Sequence, residues 1–193
     1  MALRRGFKTE ANKISKDLRR ELELAPEAPL NPWKLAENLG IPIWTLSEMK
    51  SLAPNAVNHF TLINTSEFSA TTVFNGNART IVHNDAHSLG RQSNNIFHEI
   101  AHGLLLHPPQ LALDARGCRN WNNDYEEEAK FLSAALLVSD EAAIHIARNN
   151  ISVADAAVKY GASEKVINWR LRITGAFTRV ARTRNYYSNM RRN

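Results

Sequence analysis

The sequence predicts an α+β fold in which a small, partly antiparallel β-sheet is flanked by helices. Three observations lead there. Apolar residues recur at helical spacing near the start, β-branched and aromatic runs take over between residues 41 and 83, and the pattern is helical again from Gln92 onward. A chain of 193 residues with 44% hydrophobic content is long enough to bury one substantial core.

Ala11, Ile14, Leu18 and Leu22 line one face of a helix over residues 8–23. After a loop with Pro26 and Pro29, Asn31 followed by Pro32 is a cap and a first-turn proline, Leu35 and Leu39 form the apolar stripe, and Gly40 ends a short second helix. The runs IPIWTL, NHFTLI, SATTVF and RTIVH then read as strands, and Asn75-Gly76 between the last two is a hairpin turn signal. Helices follow over residues 92–107, stopped by Pro108-Pro109, then over about 124–138 and 140–149, and in two short segments to about 175. The four tryptophans are most simply core.

Charge is unevenly spread. Residues 1–20 hold seven Lys/Arg against two acids, residues 165–193 hold eight against none, and residues 21–164 hold nine against seventeen, so an acidic body carries two basic ends. No apolar run approaches the ~20 residues that cross a bilayer, and MALRRGFKTEANK lacks the apolar middle of a signal peptide, so no membrane role is expected. The single cysteine, Cys118, cannot form an internal disulfide, which agrees with a reducing compartment; the expected location is cytoplasmic.

The stretch NIFHEIAHGLLLHPP, residues 95–109, concentrates the chemistry. Residues four apart on a helix point the same way, so His98 and His102 aim two imidazole nitrogens at one point where a metal would sit. Glu99, on the adjacent edge, can reach a water on that metal without ligating it, as a general base must. A third protein ligand is needed, and the next helix offers Glu126, Glu127 and Glu128 in a row. At ~100° per residue Glu126 shares an arc with the small residues Ala129 and Ser133, which would let the two helices approach closely. That favours Glu126, with Glu128 as its rival.

These residues resemble the ImmA/IrrE family of metallopeptidases over nearly the full length. The likeness is carried by PLNPWKLAENLGIPI, by RQSNNIFHEIAH with Arg91 seven residues before His98, by EEEAKFLSAALLVS, and by KYGASEKVINWRLRITG. The resemblance implies a zincin-like zinc metallopeptidase domain over 1–150 and a helix-turn-helix-like extension with a basic tail over 151–193. It implies Zn2+ as cofactor, held by His98, His102 and Glu126, with Glu99 as catalytic base. The implied substrate is a helix-turn-helix repressor of Xre type, whose cleavage switches on mobile-element, phage or stress-response genes. Ser139 stands where that family usually has proline, and Lys130 where it often has Asp or Asn. Tyr125, His145 and Arg91 are the candidates for stabilising an oxyanion, and an edge strand such as RTIVH could hold an extended substrate.

The other histidines have plainer readings. His83 and His87 are surface or hydrogen-bonded loop residues, and His107 suits the negative end of the helix dipole. Cys118 is a small buried hydrophobe by default and otherwise a thiolate ligand. A reading from another class is a DNA-binding or protein-interaction module with a structural or inactive metal site. Ser152 and Asp155 form a capping box, Gly161 a turn and Ser163 a second cap ahead of an arginine-rich tail. Val166, Ile167, Trp169, Leu171 and Ile173 leave few polar positions to read bases, so protein docking is favoured over DNA.

Overall fold

The structure is a computed structural model that describes residues 3–76, 78–108 and 122–190. The first helix, α1, runs Phe7–Glu21 and the second, α2, Pro32–Asn38; the Asn31 side chain caps α2 by accepting from the amides of Trp33 and Lys34. Strand β1 is Ile43–Thr45, and after a 3-10 turn at Ser47–Ser51 comes the short helix α3, Pro54–Asn58. Strands β2, Ala70–Asn75, and β3, Ala78–His83, form a hairpin. The helices that follow are α4 Leu89–Leu104, α5 Asn123–Leu137, α6 Asp140–Arg148, α7 Val153–Tyr160, α8 Glu164–Ile173 and α9 Ala176–Met190.

The fold is α+β with a small mixed sheet, as the period change in the sequence indicates. Three expectations need correcting in detail. NHFTLI is not a strand: α3 runs into a wider π-type turn at His59–Ile63. Pro54 at the first position starts the helix, and Thr61 Oγ1 donates back to the Val57 carbonyl at 2.7 Å, so local helical bonding overrides the β propensity of Phe60 and Ile63. RTIVH is not an edge. β3 pairs in parallel with β1, Ile43 opposite Ile81, and antiparallel with β2, Thr72 opposite Ile81, so its backbone is used on both sides and Ile81, Val82 and His83 are buried. The edge is β2. The third concerns the tail, where a helix, α9, continues past residue 175. Trp44 is also 47% exposed and so is not core.

One cluster of buried residues joins Phe7 and Ala11 of α1, Leu35 of α2, Ile81 of β3, Ile96, Phe97 and Ile100 of α4, Leu132 and Leu136 of α5, and Ile167 and Leu171 of α8. α5 is packed by α1, α4 and α8, which explains why it is apolar on nearly every side after its first turn. Its C-terminal carbonyls would be orphaned in the core. Two buried arginines satisfy them: Arg19 Nη2 donates to the Leu136 carbonyl at 2.7 Å, and Arg170 Nε to the Val138 carbonyl at 2.7 Å. Burial lowers the pKa of Arg19 to about 10, which leaves it charged at neutral pH. Ser139 caps α6, accepting from the Ala142 amide and donating to the Pro26 carbonyl at 2.7 Å. Ser152 and Ser163 cap α7 and α8, and Gly161 takes φ 59° between them.

Candidate metal centre

The centre is built on α4 and the first turn of α5. Ile96, Phe97, Ile100 and Ala101 of α4 are fully buried, which leaves His98, Glu99 and His102 on the half-buried edge of the helix. The Asn122 side chain starts α5 by accepting from the amides of Asp124 and Tyr125, and places Glu126 in the first turn, where the helix dipole favours a carboxylate.

The structure brings His98, His102 and Glu126 together. Among the described residues they form a group whose donor atoms all lie within 4.8 Å of one another. His98 Nε2 stands 3.1 Å from Glu126 Oε2 and 3.2 Å from His102 Nε2, and His102 Nε2 is 3.5 Å from Glu126 Oε1. A tetrahedral zinc with bonds near 2.0–2.1 Å separates its ligands by roughly 3.3 Å; the two histidine nitrogens stand at that spacing, and each has one oxygen of the Glu126 carboxylate at a comparable distance, Oε2 for His98 and Oε1 for His102. The side chains are 26%, 21% and 17% exposed for His98, His102 and Glu126, sheltered yet open to water, as a fourth position requires. Burial pushes the Glu126 carboxyl up. Hydrogen bonds and charge from His102 and His98 outweigh that and hold it at about 2, so it is ionised at neutral pH. Two imidazoles and an ionised carboxylate are a donor set suited to zinc.

The two neighbouring glutamates go elsewhere. Glu127 is exposed beside Lys130 at 3.6 Å, and Glu128 Oε1 accepts from Arg4 Nε at 2.8 Å. Lys130 therefore touches no ligand. Glu99, next to His98, is held from the sheet: Thr72 Oγ1 on the edge strand β2 donates to Glu99 Oε2 at 2.6 Å. Of the three oxyanion candidates, Tyr125 adjoins the group, stacked on His107 with ring centroids 4.5 Å apart and planes 22° apart. Arg91 sits at the other end of α4 and donates to Ser69 Oγ at 3.2 Å, and His145 lies on α6 against Asn149.

Several residues of the site carry no sequence signal. Thr72 is one. His107 is another: its side chain is only 5% exposed and its Nδ1 is 2.9 Å from His102 Nδ1. Burial, with His102 nearby, lowers its pKa, which works against the cation expected at the helix end. His83 and His87 are both buried, and of the two readings His87 is the hydrogen-bonded loop residue. His83 packs edge-on against Trp33, and His87 Nε2 meets the Thr65 carbonyl at 2.7 Å. Cys118 lies outside the described residues.

An α+β fold that carries two histidines four apart on one helix, a carboxylate from the next and a glutamate beside the first histidine has the arrangement of HExxH-type metallopeptidases. The family model for M78 peptidases, described as the IrrE N-terminal-like domain, matches residues 36–172, and the chain belongs to that metallopeptidase family. No curated protein and no solved structure matches it. Among the described residues no helix is long and apolar enough to cross a membrane.

Proposed function

We propose that this protein is a zinc-dependent endopeptidase that cuts a specific protein substrate, a helix-turn-helix repressor of Xre type. The observation that carries the reading is the group of three donors within 4.8 Å of one another, with Glu99 next to His98 and held by Thr72. Zinc bound there would supply a water of lowered pKa and a Lewis acid for the scissile carbonyl. Glu99 Oε1, the oxygen not engaged by Thr72, takes the proton from the attacking water and hands it to the leaving amine. Tyr125 is the side chain best placed to donate to the developing oxyanion.

Substrate binding falls to β2 and not to RTIVH. Among the described residues β2 pairs only with β3, which leaves its outer edge open, and Thr72 ties the same strand to Glu99. An extended peptide added to that edge runs past the catalytic base. The likeness of the motifs to ImmA/IrrE peptidases supports a repressor as substrate, and hence control of mobile-element, phage or stress-response genes.

Metal analysis and a cleavage assay test the reading. Purified protein is expected to carry about one zinc per chain, and His98→Ala, His102→Ala and Glu126→Gln to lose it. Glu99→Gln is expected to keep the zinc and abolish cleavage of a helix-turn-helix repressor substrate, because it removes a base and not a ligand. Equal metal content in wild type and all three ligand variants would sink the centre. A Glu99→Gln variant that cleaves at the wild-type rate would sink the peptidase.

A further inference from the structure

The end of α4 is shaped in an unusual way. The His107 amide donates to the His102 carbonyl at 3.0 Å and the Leu106 amide to the Gly103 carbonyl at 3.2 Å, a Schellman-type close. The residue at its left-handed position is Leu106, with φ 55°, where glycine would be free of steric cost. The Leu106 side chain is 83% exposed, so no packing of its own compensates. What the turn achieves is to fold the chain back and bring the His107 ring against His102.

We infer that His107 and Glu128 are positioning residues that fix the tautomer and ring plane of His102 as a metal ligand. The inference rests on the metal-centre reading. His102 Nε2 faces His98 at 3.2 Å and Glu126 at 3.5 Å, so as a ligand it must present its lone pair there, and its proton must sit on Nδ1. Among the described residues that proton has one partner, His107 Nδ1, at 2.9 Å. His107 must then carry its own proton on Nε2, which faces Glu128 Oε2 at 3.5 Å, a long hydrogen bond. The other oxygen of Glu128 accepts from Arg4 Nε at 2.8 Å, and Tyr125 stacks on the back of the His107 ring. One arrangement of protons satisfies every member, and it leaves the ligating lone pair free. His107 is not itself a ligand, since its Nδ1 meets the nitrogen of His102 that points away from Glu126. A ligand imidazole whose outer N–H is held is pre-oriented and more basic, which strengthens the metal bond.

The test measures metal binding and not turnover. Zinc affinity of the full chain is read by competition with a chromophoric chelator, and ligand geometry by the visible spectrum of the Co2+-substituted protein. His107→Phe keeps the ring against Tyr125 and removes the acceptor, and is expected to weaken zinc about 10–100-fold and to shift the Co2+ bands, whereas His107→Asn, with an acceptor near the Nδ1 position, stays within about threefold of wild type. Glu128→Gln is expected to weaken zinc in the same direction and to add nothing in the His107→Phe background. Should His107→Phe fail to fold, Glu128→Gln decides alone. Wild-type affinity and spectrum in these variants, with zinc lost in His98→Ala, overturn the positioning role and leave the centre standing. Zinc retained in His98→Ala overturns both.

Discussion

Thr72 reaches Glu99 across the gap between sheet and helix, and its hydroxyl donates to Oε2 at 2.6 Å. A bond this short to a carboxylate fixes its rotamer and leaves the other oxygen for the attacking water. Thr72→Val preserves the β-branched shape and deletes the donor. It is expected to lower kcat for repressor cleavage about 10-fold with zinc content unchanged, as loss of an orienting hydrogen bond does. A variant within twofold of wild type would remove Thr72 from the machinery. Nothing in the sequence points to Thr72, because it is 27 residues from Glu99 on another element and the pairing exists only once the hairpin packs on α4. The shared direction of His98, Glu99 and His102 is legible for the opposite reason: helical repeat fixes it before any tertiary contact forms, whereas Glu126, on another helix, is favoured by the phase of α5 and the small residues on its arc. His107 shows the limit of that logic. Five residues past His102 it would leave the ligand face of a straight helix, and only the left-handed turn at Leu106 returns it.

α5 is the element on which both the site and the core depend, with Glu126 in its first turn and its last carbonyls held by buried arginines. Arg19 donates to the Ser15 carbonyl and hydroxyl at 3.2 and 2.7 Å, to the Ala28 carbonyl at 3.0 Å and to the Leu136 carbonyl at 2.7 Å. Arg19→Met keeps the volume but leaves buried carbonyls unpaired at the negative end of a helix. The expected cost is about 3 kcal/mol, close to 10 °C in unfolding temperature, read by calorimetry. A loss below ~1 kcal/mol would show that water enters and replaces the guanidinium. Helix positions were readable from the sequence since their caps are local: Asn31, Asn122, Ser152 and Ser163 each accept from amides two or three residues on. The helical 54–63 segment was not, because six residues of mixed aromatic and β-branched character fit either state until Pro54 and the Thr61–Val57 bond choose. Nor was the order of the strands, which depends on β1 pairing in parallel with β3 across some 35 intervening residues of chain.

At the scale of the whole molecule the uneven charge of the sequence acquires a geometry, in which the two basic ends fold onto the acidic middle. Arg4 meets Glu128, Arg170 Nη2 donates to Asp140 Oδ1 at 2.8 Å, Arg179 reaches Asp140 at 3.7 Å, and Asn12 Nδ2 donates to the same carboxylate at 2.9 Å. N-terminal and C-terminal helices therefore converge on Asp140. Further contacts cross residue 150. Tyr160 donates to the Glu27 carbonyl at 2.9 Å, and Gly90 at the start of α4 runs so near the Gly161 carbonyl that a Cβ would lie 3.3 Å from it. A chain ending at residue 150 would lose Ile167, Leu171, Ala176 and Val180 from the core and leave the Val138 carbonyl without Arg170. Exposing that much apolar surface costs more than ~5 kcal/mol, comparable to the whole stability of a domain. The full chain is thus expected to unfold in one transition, with circular dichroism and calorimetry coinciding. The 1–150 fragment is expected to show no cooperative melt and no zinc binding, and a folded fragment that binds zinc with wild-type affinity would show instead that the C-terminal helices dock on a self-sufficient peptidase body.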